Sequence, residues 1–186
     1  MSKRQLLALV AALACMPAAA DTYTIDKDHT YPSFEFSHMG ISVWRGKFTR
    51  TSGSVTLDRA ARTGAVQIVV NTASIDFGHK AMNEFALGED WLNTQWHPTM
   101  SYQGSLRFEG DVPASVDGRL TLLGVSRPLT LKINSFKCIV HPMFKKEVCG
   151  ADVEGELNRA DYGMKLYSEG EAGKIKLRIQ VEALKD

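Results

Sequence analysis

Histidine and cysteine are the residue types in this chain best suited to catalysis or metal binding. The five histidines lie in different predicted elements and form no pair at i and i+4: His29, His38, His79, His97 and His141. The sequence also lacks the HExxH zinc motif, the glycine-rich phosphate loop and the GxSxG nucleophile elbow. A histidine without such partners is typically a hydrogen-bonded structural residue, so the pattern disfavours catalysis and predicts no metal site. Asp26 and Asp28, beside His29, are predicted to fix a turn through side-chain to backbone bonds.

The first 20 residues are predicted to be a cleaved secretory signal peptide. Lys3 and Arg4 precede an apolar run over residues 6–14, and three alanines precede Asp21. This run is too short to span a bilayer, and its small-residue end is typical of a cleavage site. Two alternatives remain open at this point, a buried N-terminal helix and a lipoprotein anchored through Cys15. We therefore expect export to the periplasm, with residues 21–186 forming one mature domain.

Cys138 and Cys149 are predicted to form a disulfide across the two arms of a hairpin. The ten residues between them exclude a CxxC redox centre, and His141 alone cannot complete a zinc site. A cysteine pair in an exported protein meets an oxidising compartment, which favours the disulfide. Closing a loop of about 12 residues stabilises the fold by on the order of 3 kcal/mol.

The charge balance excludes several classes of partner. The full chain has 22 basic and 21 acidic side chains, and Lys3 and Arg4 lie in the leader, so the mature domain carries a formal charge of −1. This balance provides no basic field for nucleic acid and no polybasic membrane patch. We expect no nucleic-acid partner and only transient contact with a membrane.

Strict alternation of apolar and polar residues predicts antiparallel strands. In residues 118–131, Leu120 and Leu122 share one face of the first arm, and Leu129 and Leu131 share one face of the second. The same alternation recurs along the chain to residues 174–182. Eight or more short strands with turn residues between them predict an all-β, antiparallel sandwich or barrel.

Residues 77–96 break this rhythm. Ala81, Met82 and Phe85 lie at helical spacing, and Asp90 is placed to cap a second short helical turn. Short helices in an all-β chain often cap the open end of a barrel, where they can also gate its interior. Periodicity does not distinguish a filled core from an apolar cavity, although an eight-stranded barrel is wide enough for one small ligand.

Several motifs, taken in order, carry a family resemblance that covers nearly the whole mature chain. They occupy residues 26–29, 34–40, 45–48, 53–58, 90–92, 97–100, 118–131 and 158–164. The chain resembles the YceI-like family of periplasmic polyisoprenoid-binding proteins. The resemblance implies an extended, lipocalin-like barrel of eight strands that carries an isoprenoid or similar amphiphile, without a further cofactor and as a possible homodimer. Phe85, Ala86 and Leu87 stand where family members often have His-Leu-Arg, which favours a less charged lipid such as a quinone or free alcohol.

We predict a ligand site from strand faces and from these motifs. Wall residues are expected at Phe34, Phe36, His38, Val66, Ile68, Val70 and Tyr102, with Trp91, Trp96 and Met100 closing the cavity. His38, Arg127, Arg159 and Tyr162 are predicted to lie nearest a head group, because each sits within a family-like motif. For both arginines the alternative is a surface position with the aliphatic stem packed against neighbours.

Three functions remain in competition. The first is a lipid-binding carrier, and the second is a periplasmic enzyme or redox accessory that uses the histidines. The third is a closed-core interaction domain without a lipid ligand.

Overall fold

Strands dominate the computed structural model, which describes residues 20–186. The eleven strands are β1 (Asp21–Ile25), β2 (Tyr31–His38), β3 (Ser42–Phe48), β4 (Thr51–Asp58), β5 (Thr63–Asn71), β6 (Ile75–Asp76), β7 (Thr99–Glu109), β8 (Val112–Leu122), β9 (Val125–Val140), β10 (Glu147–Asn158) and β11 (Lys174–Lys185). Helix α1 spans Lys80–Ala86, and short 3₁₀ helices span Thr72–Ser74, Arg159–Tyr162 and Gly170–Gly173. Residues 1–19, including most of the predicted signal peptide and Cys15, lie outside the described residues. Within residues 20–186, no helix has the length and apolar character needed to cross a membrane.

The sheet closes on itself through β1 and β11. Neighbouring strands follow the order β1-β4-β5-β7-β8-β9-β10-β11, and β1 also pairs with β11, which completes an eight-membered antiparallel ring. Strand β11 pairs with β1 through residues 183–185 and with β2 through residues 176–180. Both strands lie along the same edge of β11, so β1 and β2 together occupy one position of the ring. Closure leaves the ring without a free strand edge. The predicted all-β, antiparallel eight-stranded barrel is confirmed.

The β8–β9 hairpin has the two-sided character that its sequence predicts. Leu120, Leu122, Leu129 and Leu131 are all buried, and they face the interior of the barrel. Leu122 and Val125 pair across a two-residue turn in which both residues have positive φ. Such a turn matches the right-handed twist of the flanking strands, so it fixes the register that sends these leucines inward.

The helical segments all lie at one end of the barrel, which we call the capped end. It comprises α1, residues 87–98 and residues 159–173, and these segments connect the same ends of the strands. Helix α1 begins after His79, whose Nδ1 accepts a hydrogen bond from the Met82 amide at 3.2 Å. Residues 88–96 form turns in which the Gly88 carbonyl accepts from the Trp91 and Asn93 amides. The predicted second short turn is therefore present, but Gly88 holds it rather than a cap at Asp90. The opposite end, which carries the turns at residues 59–62, 110–111 and 141–146, is the hairpin end.

The predicted disulfide is present at the hairpin end. Cys138 on β9 lies directly opposite Cys149 on β10, with the two Cα atoms 4.0 Å apart, and the sulfurs are bonded. The bond joins two adjacent strands, so it stabilises the base of the turn at residues 141–146.

We expect the double substitution Cys138→Ser and Cys149→Ser to lower the free energy of unfolding by about 3 kcal/mol, because the unfolded chain regains loop entropy. Urea denaturation of both proteins under oxidising conditions measures this difference. Wild-type protein treated with a reductant should unfold at the midpoint of the double variant. Equal midpoints for oxidised wild type and the double variant would contradict the assignment of a stabilising role.

Candidate functional site

The barrel encloses an apolar cavity of about 250 Å³. Its walls are inward-facing side chains from almost every strand, since alternate residues of each strand point into the ring. Phe34 and Phe36 from β2 contribute to one side, and Tyr102 and Leu120 from β7 and β8 contribute to another. The volume lies just below the range of about 300–1,000 Å³ that small-molecule pockets occupy. An interior of this size and character suits an apolar chain rather than a polar metabolite.

Most of the residues predicted to form the ligand site do line this cavity. They are Phe34, Phe36, Val66, Ile68, Val70, Trp91, Met100, Tyr102 and Arg159. Tyr102 shows how the wall is built, because its hydroxyl donates to the carbonyls of Val116 and Leu129 at 3.1 and 2.9 Å. A Cβ atom at Gly118 would lie 2.4 Å from the Tyr102 ring, so only glycine leaves room for this aromatic wall.

Four predicted residues lie elsewhere. His38 stacks on Trp44 at the rim of the barrel, with ring centroids 4.7 Å apart, because β2 ends there. Trp96 is 75% exposed and does not close the cavity, which corrects that prediction. Arg127 is exposed, and its Nε donates to the Asp161 carbonyl at 2.8 Å. Tyr162 is buried behind the wall, where burial raises the pKa of its hydroxyl.

The sequence prediction missed most of the wall formed by the C-terminal half of the chain. These residues include Leu129, Leu131, Ile133, Phe136, Val153, Leu157, Ile175, Leu177, Ile179 and Val181. The alternation of β9 and β11 already marked many of them as inward-facing, so the signal was available. The prediction applied the strand-face argument only to β2 and β5 and took the remaining residues from the motifs, so the inward faces of the later strands were left out.

The polar part of the cavity wall centres on Arg159 and Trp91 at the capped end. Arg159 is 3% exposed, and its guanidinium carbon lies 4.8 Å from the centre of the Trp91 ring. Its Nε donates to the Ala172 carbonyl at 3.3 Å, and one terminal nitrogen donates to the Tyr167 carbonyl at 2.5 Å. These two bonds hold residues 163–173 over the end of the barrel.

Two donors of this pair are unsatisfied. Within residues 20–186, the buried Arg159 Nη1 and Trp91 Nε1 have no hydrogen-bond partner. Burial lowers the pKa of Arg159. A buried charge or N–H group without a partner costs free energy, so the fold retains these donors at a penalty. Both atoms are covered by their neighbours but belong to side chains that line the cavity, so each can reach the polar end of a ligand once its side chain turns toward the cavity.

The hairpin end is closed by a cluster whose polar groups bond to one another. The Tyr23 hydroxyl donates to Glu147 Oε1 at 2.5 Å, and Arg59 Nη2 donates to the same oxygen at 3.1 Å. That arginine nitrogen also lies 3.0 Å from Cys138 Sγ and 3.4 Å from Cys149 Sγ. Burial and the bond to Glu147 raise the pKa of Tyr23 to about 12. The cluster therefore acts as a structural plug rather than as an acid–base pair.

One group of side chains could hold a metal ion by geometry alone. Asp26, His29 and Glu182 each place one potential ligand atom within 4.8 Å of the others. The Asp26 carboxylate already bonds to the His29 imidazole at 2.8 Å and accepts from the Asp28 amide at 2.9 Å. The second bond confirms the turn predicted from the sequence.

Together, the closed ring and its apolar interior define a binding barrel of the lipocalin-like kind. A sequence profile described as "YceI-like domain" matches residues 23–183. The chain belongs to the YceI-like family.

Known relatives and solved structures agree with this assignment. A UPF0312 protein of Shewanella putrefaciens is 36% identical over 72% of this chain and 73% of its own length. A UPF0312 protein of Pseudomonas aeruginosa is 30% identical over the full length of both chains. Among solved structures, a mutant of the Campylobacter jejuni YceI protein has a TM-score of 0.69 at 21% identity, covering 81% of this chain and 90% of its own. A polyisoprenoid-binding domain of Saccharophagus degradans has a TM-score of 0.61 at 12% identity, covering 88% and 98%. At these identities, the two structures show the fold.

The plug at the hairpin end gives a pH-dependent prediction. The hydrogen bond from Tyr23 and the charge of Arg59 hold the pKa of Glu147 below its ordinary value of 4.5. A lowered folded-state pKa stabilises the protein above the ordinary value, and this stabilisation is lost as the pH falls through the folded-state pKa. We expect Glu147→Gln to be less stable than wild type near pH 7, with a difference that shrinks as the pH falls below 4.5 and through the folded-state pKa.

Urea denaturation at several pH values measures this difference. Glu109→Gln is the matched control, because Glu109 is exposed at the same end of the barrel. A difference between Glu147→Gln and wild type that stays constant from neutral to acidic pH would contradict the role assigned to the carboxylate.

Proposed function

We propose that this protein binds a polyisoprenoid or similar long-chain amphiphile inside its barrel and carries it in the periplasm. The observation that carries the proposal is the enclosed apolar cavity with unpaired donors at one end. Such a cavity counts against a closed-core interaction domain. The Saccharophagus degradans neighbour, described as a polyisoprenoid-binding domain, supports the same ligand class.

Periplasmic carriage rests on two features of the chain. The first 20 residues have the pattern of a secretory signal peptide, and the described disulfide is typical of an oxidising compartment. A carrier also fits the chemistry of the interior, because the cavity wall places no nucleophile beside a base. We therefore favour binding over catalysis.

The orientation of the ligand follows from the two ends of the barrel. The plug at the hairpin end satisfies its own polar groups, whereas Arg159 and Trp91 each keep an unpaired N–H donor just behind the cavity wall at the capped end. The polar end of the amphiphile thus lies at the capped end, where a carbonyl, alcohol or phosphate oxygen can accept from these donors. The isoprenoid tail extends toward the hairpin end.

Binding energy also explains why the polar end matters. One five-carbon unit buries enough surface for roughly 4 kcal/mol. A chain of about eight units would exceed the practical ceiling of about 20 kcal/mol before the ordering costs are subtracted. Apolar burial alone is therefore ample, and discrimination between lipids comes from cavity length and from the polar contacts.

The role of the cavity wall is tested by a substitution that fills part of the cavity. Ile68→Phe adds volume inside the cavity, so we expect less isoprenoid lipid per folded protein or a shorter retained chain. Mass spectrometry of the organic extract, made from protein purified from its native host, measures both quantities. Val69→Phe is the matched control, because Val69 neighbours Ile68 on β5 but is 42% exposed. Equal lipid content in wild type and Ile68→Phe, at unchanged melting temperature, would contradict the proposal.

The contact with the polar end of the ligand is tested by removing the hydrogen-bond donors of Arg159 and Trp91. We expect Arg159→Gln to weaken binding of farnesol by about tenfold or more, since a hydrogen bond from a charged donor contributes about 1.5–3 kcal/mol. Trp91→Phe keeps the ring and removes one donor, so a smaller loss is expected. Displacement of a fluorescent lipid probe by farnesol measures the affinities, and farnesene, which has no oxygen, should bind all variants equally.

Lys165→Gln is the control for charge, because it removes a cation from the same capping segment at an exposed position. Equal losses of farnesol and farnesene binding in Arg159→Gln would show that the residue acts on the fold rather than on the polar end. Unchanged farnesol binding in both Arg159→Gln and Trp91→Phe would contradict the proposed orientation.

A further inference from the structure

The turn between β9 and β10 exposes apolar side chains at the hairpin end, outside the cavity. Met143 is 78% exposed, Phe144 is 55% exposed and Val140 is 69% exposed. We call residues 137–146 the basic–apolar tip, because three lysines lie in the same stretch: Lys137, Lys145 and Lys146. Soluble surfaces rarely leave large apolar side chains exposed side by side without a binding partner.

The tip is held in one conformation. The disulfide joins its base, and the His141 amide donates to the Lys146 carbonyl at 2.7 Å. His141 Nδ1 accepts from the amides of Met143 and Phe144, each at 3.2 Å, and its ring stacks on Phe144 with centroids 4.4 Å apart. The exposed side chains are therefore presented by an ordered turn, which lowers the entropy cost of docking.

The charge of the tip selects its partner. All three lysines are exposed, and none forms a salt bridge with a residue of the described chain. Residues 137–146 contain no acidic side chain. At the capped end, by contrast, the exposed Phe85 lies in a segment with Glu84, Glu89 and Asp90. Apolar side chains beside unpaired cations suit a bilayer, which has an apolar interior beneath a layer of anionic head groups.

We propose that the basic–apolar tip docks on the surface of an anionic phospholipid bilayer. Met143 and Phe144 enter the boundary between head groups and acyl chains, and the lysines contact the anionic head groups. The mature domain has almost no net charge, so the attraction is local to the tip. This docking goes beyond the proposed lipid carriage, because the tip lies outside the cavity and acts whether or not the cavity is filled.

The test is flotation of the purified mature protein with vesicles. Phosphatidylcholine vesicles with about 30% phosphatidylglycerol should bind it at least about twenty-five-fold better than pure phosphatidylcholine vesicles, as expected for a docking surface with unpaired lysines. Lys145→Gln with Lys146→Gln should lower partition to anionic vesicles by about twenty-five-fold, at about fivefold for each lysine. Met143→Ser with Phe144→Ser should lower it at least tenfold.

The opposite end of the barrel supplies the control. Met39 and Ile41 are 78% and 81% exposed in the β2–β3 turn, and Met39→Ser with Ile41→Ser should leave vesicle binding unchanged. Melting temperature and an intact disulfide establish that each variant is folded. Loss of binding only in the Met39 and Ile41 variant, equal binding to neutral and anionic vesicles, or no binding by wild type would overturn the proposal. So would conversion of a dimer to a monomer by Met143→Ser with Phe144→Ser without effect on vesicle binding, which would make the tip an interface between copies of the chain.

Discussion

Closure of the sheet between β1 and β11 is the constraint on which the rest of the structure depends. Because β11 pairs with β2 along one stretch and with β1 near its end, the chain completes a closed ring. A closed ring sends alternate side chains inward, and an eight-stranded interior is just wide enough either to be filled by them or to hold one small ligand. In this chain the inward side chains leave a cavity of about 250 Å³, and its apolar character follows from the residues that the strands place inside.

The two ends of the ring are closed by different physical means. At the hairpin end, the side chains of Tyr23, Arg59 and Glu147 form hydrogen bonds with one another beside the disulfide. This end of the barrel is therefore closed by polar groups that already have hydrogen-bond partners. At the capped end, Arg159 ties residues 163–173 across the opening but keeps one nitrogen unpaired. This asymmetry gives the barrel a direction. The binding free energy of an amphiphile is most favourable when its polar atoms accept hydrogen bonds from the unpaired donors and its tail fills the apolar cavity.

The sequence predicted the fold well because strand formation here is a local property. Alternation in residues 118–131 defines both the face and the turn of that hairpin, and the structure has the same leucines buried. The disulfide was also predictable, since the ten residues between the two cysteines and the expected oxidising compartment left few other roles for the pair. The lipocalin-like ring itself came from the ordered motifs, because alternation alone fits a sandwich as well as a barrel.

The site was only partly predictable, because alternation gives the face of a residue but not its depth along the barrel axis. Phe36 and His38 share a face, yet β2 ends at His38, which leaves the histidine at the rim. Trp96 lies in the segment that covers the cavity, but the turns around Gly88 direct Trp91 inward instead. The burial of Arg159 depends on carbonyls up to 13 residues away, and the plug joins Tyr23 to a residue 124 positions distant. Contacts of that range have no local signature.

A crystal structure of the protein as purified from its native host tests the central claim most directly. The account predicts continuous, chain-shaped density through the barrel, with its polar end within about 3 Å of Arg159 Nη1 or Trp91 Nε1. A barrel that collapses around an empty interior, or density whose polar end lies at the Tyr23–Glu147 plug, would contradict it.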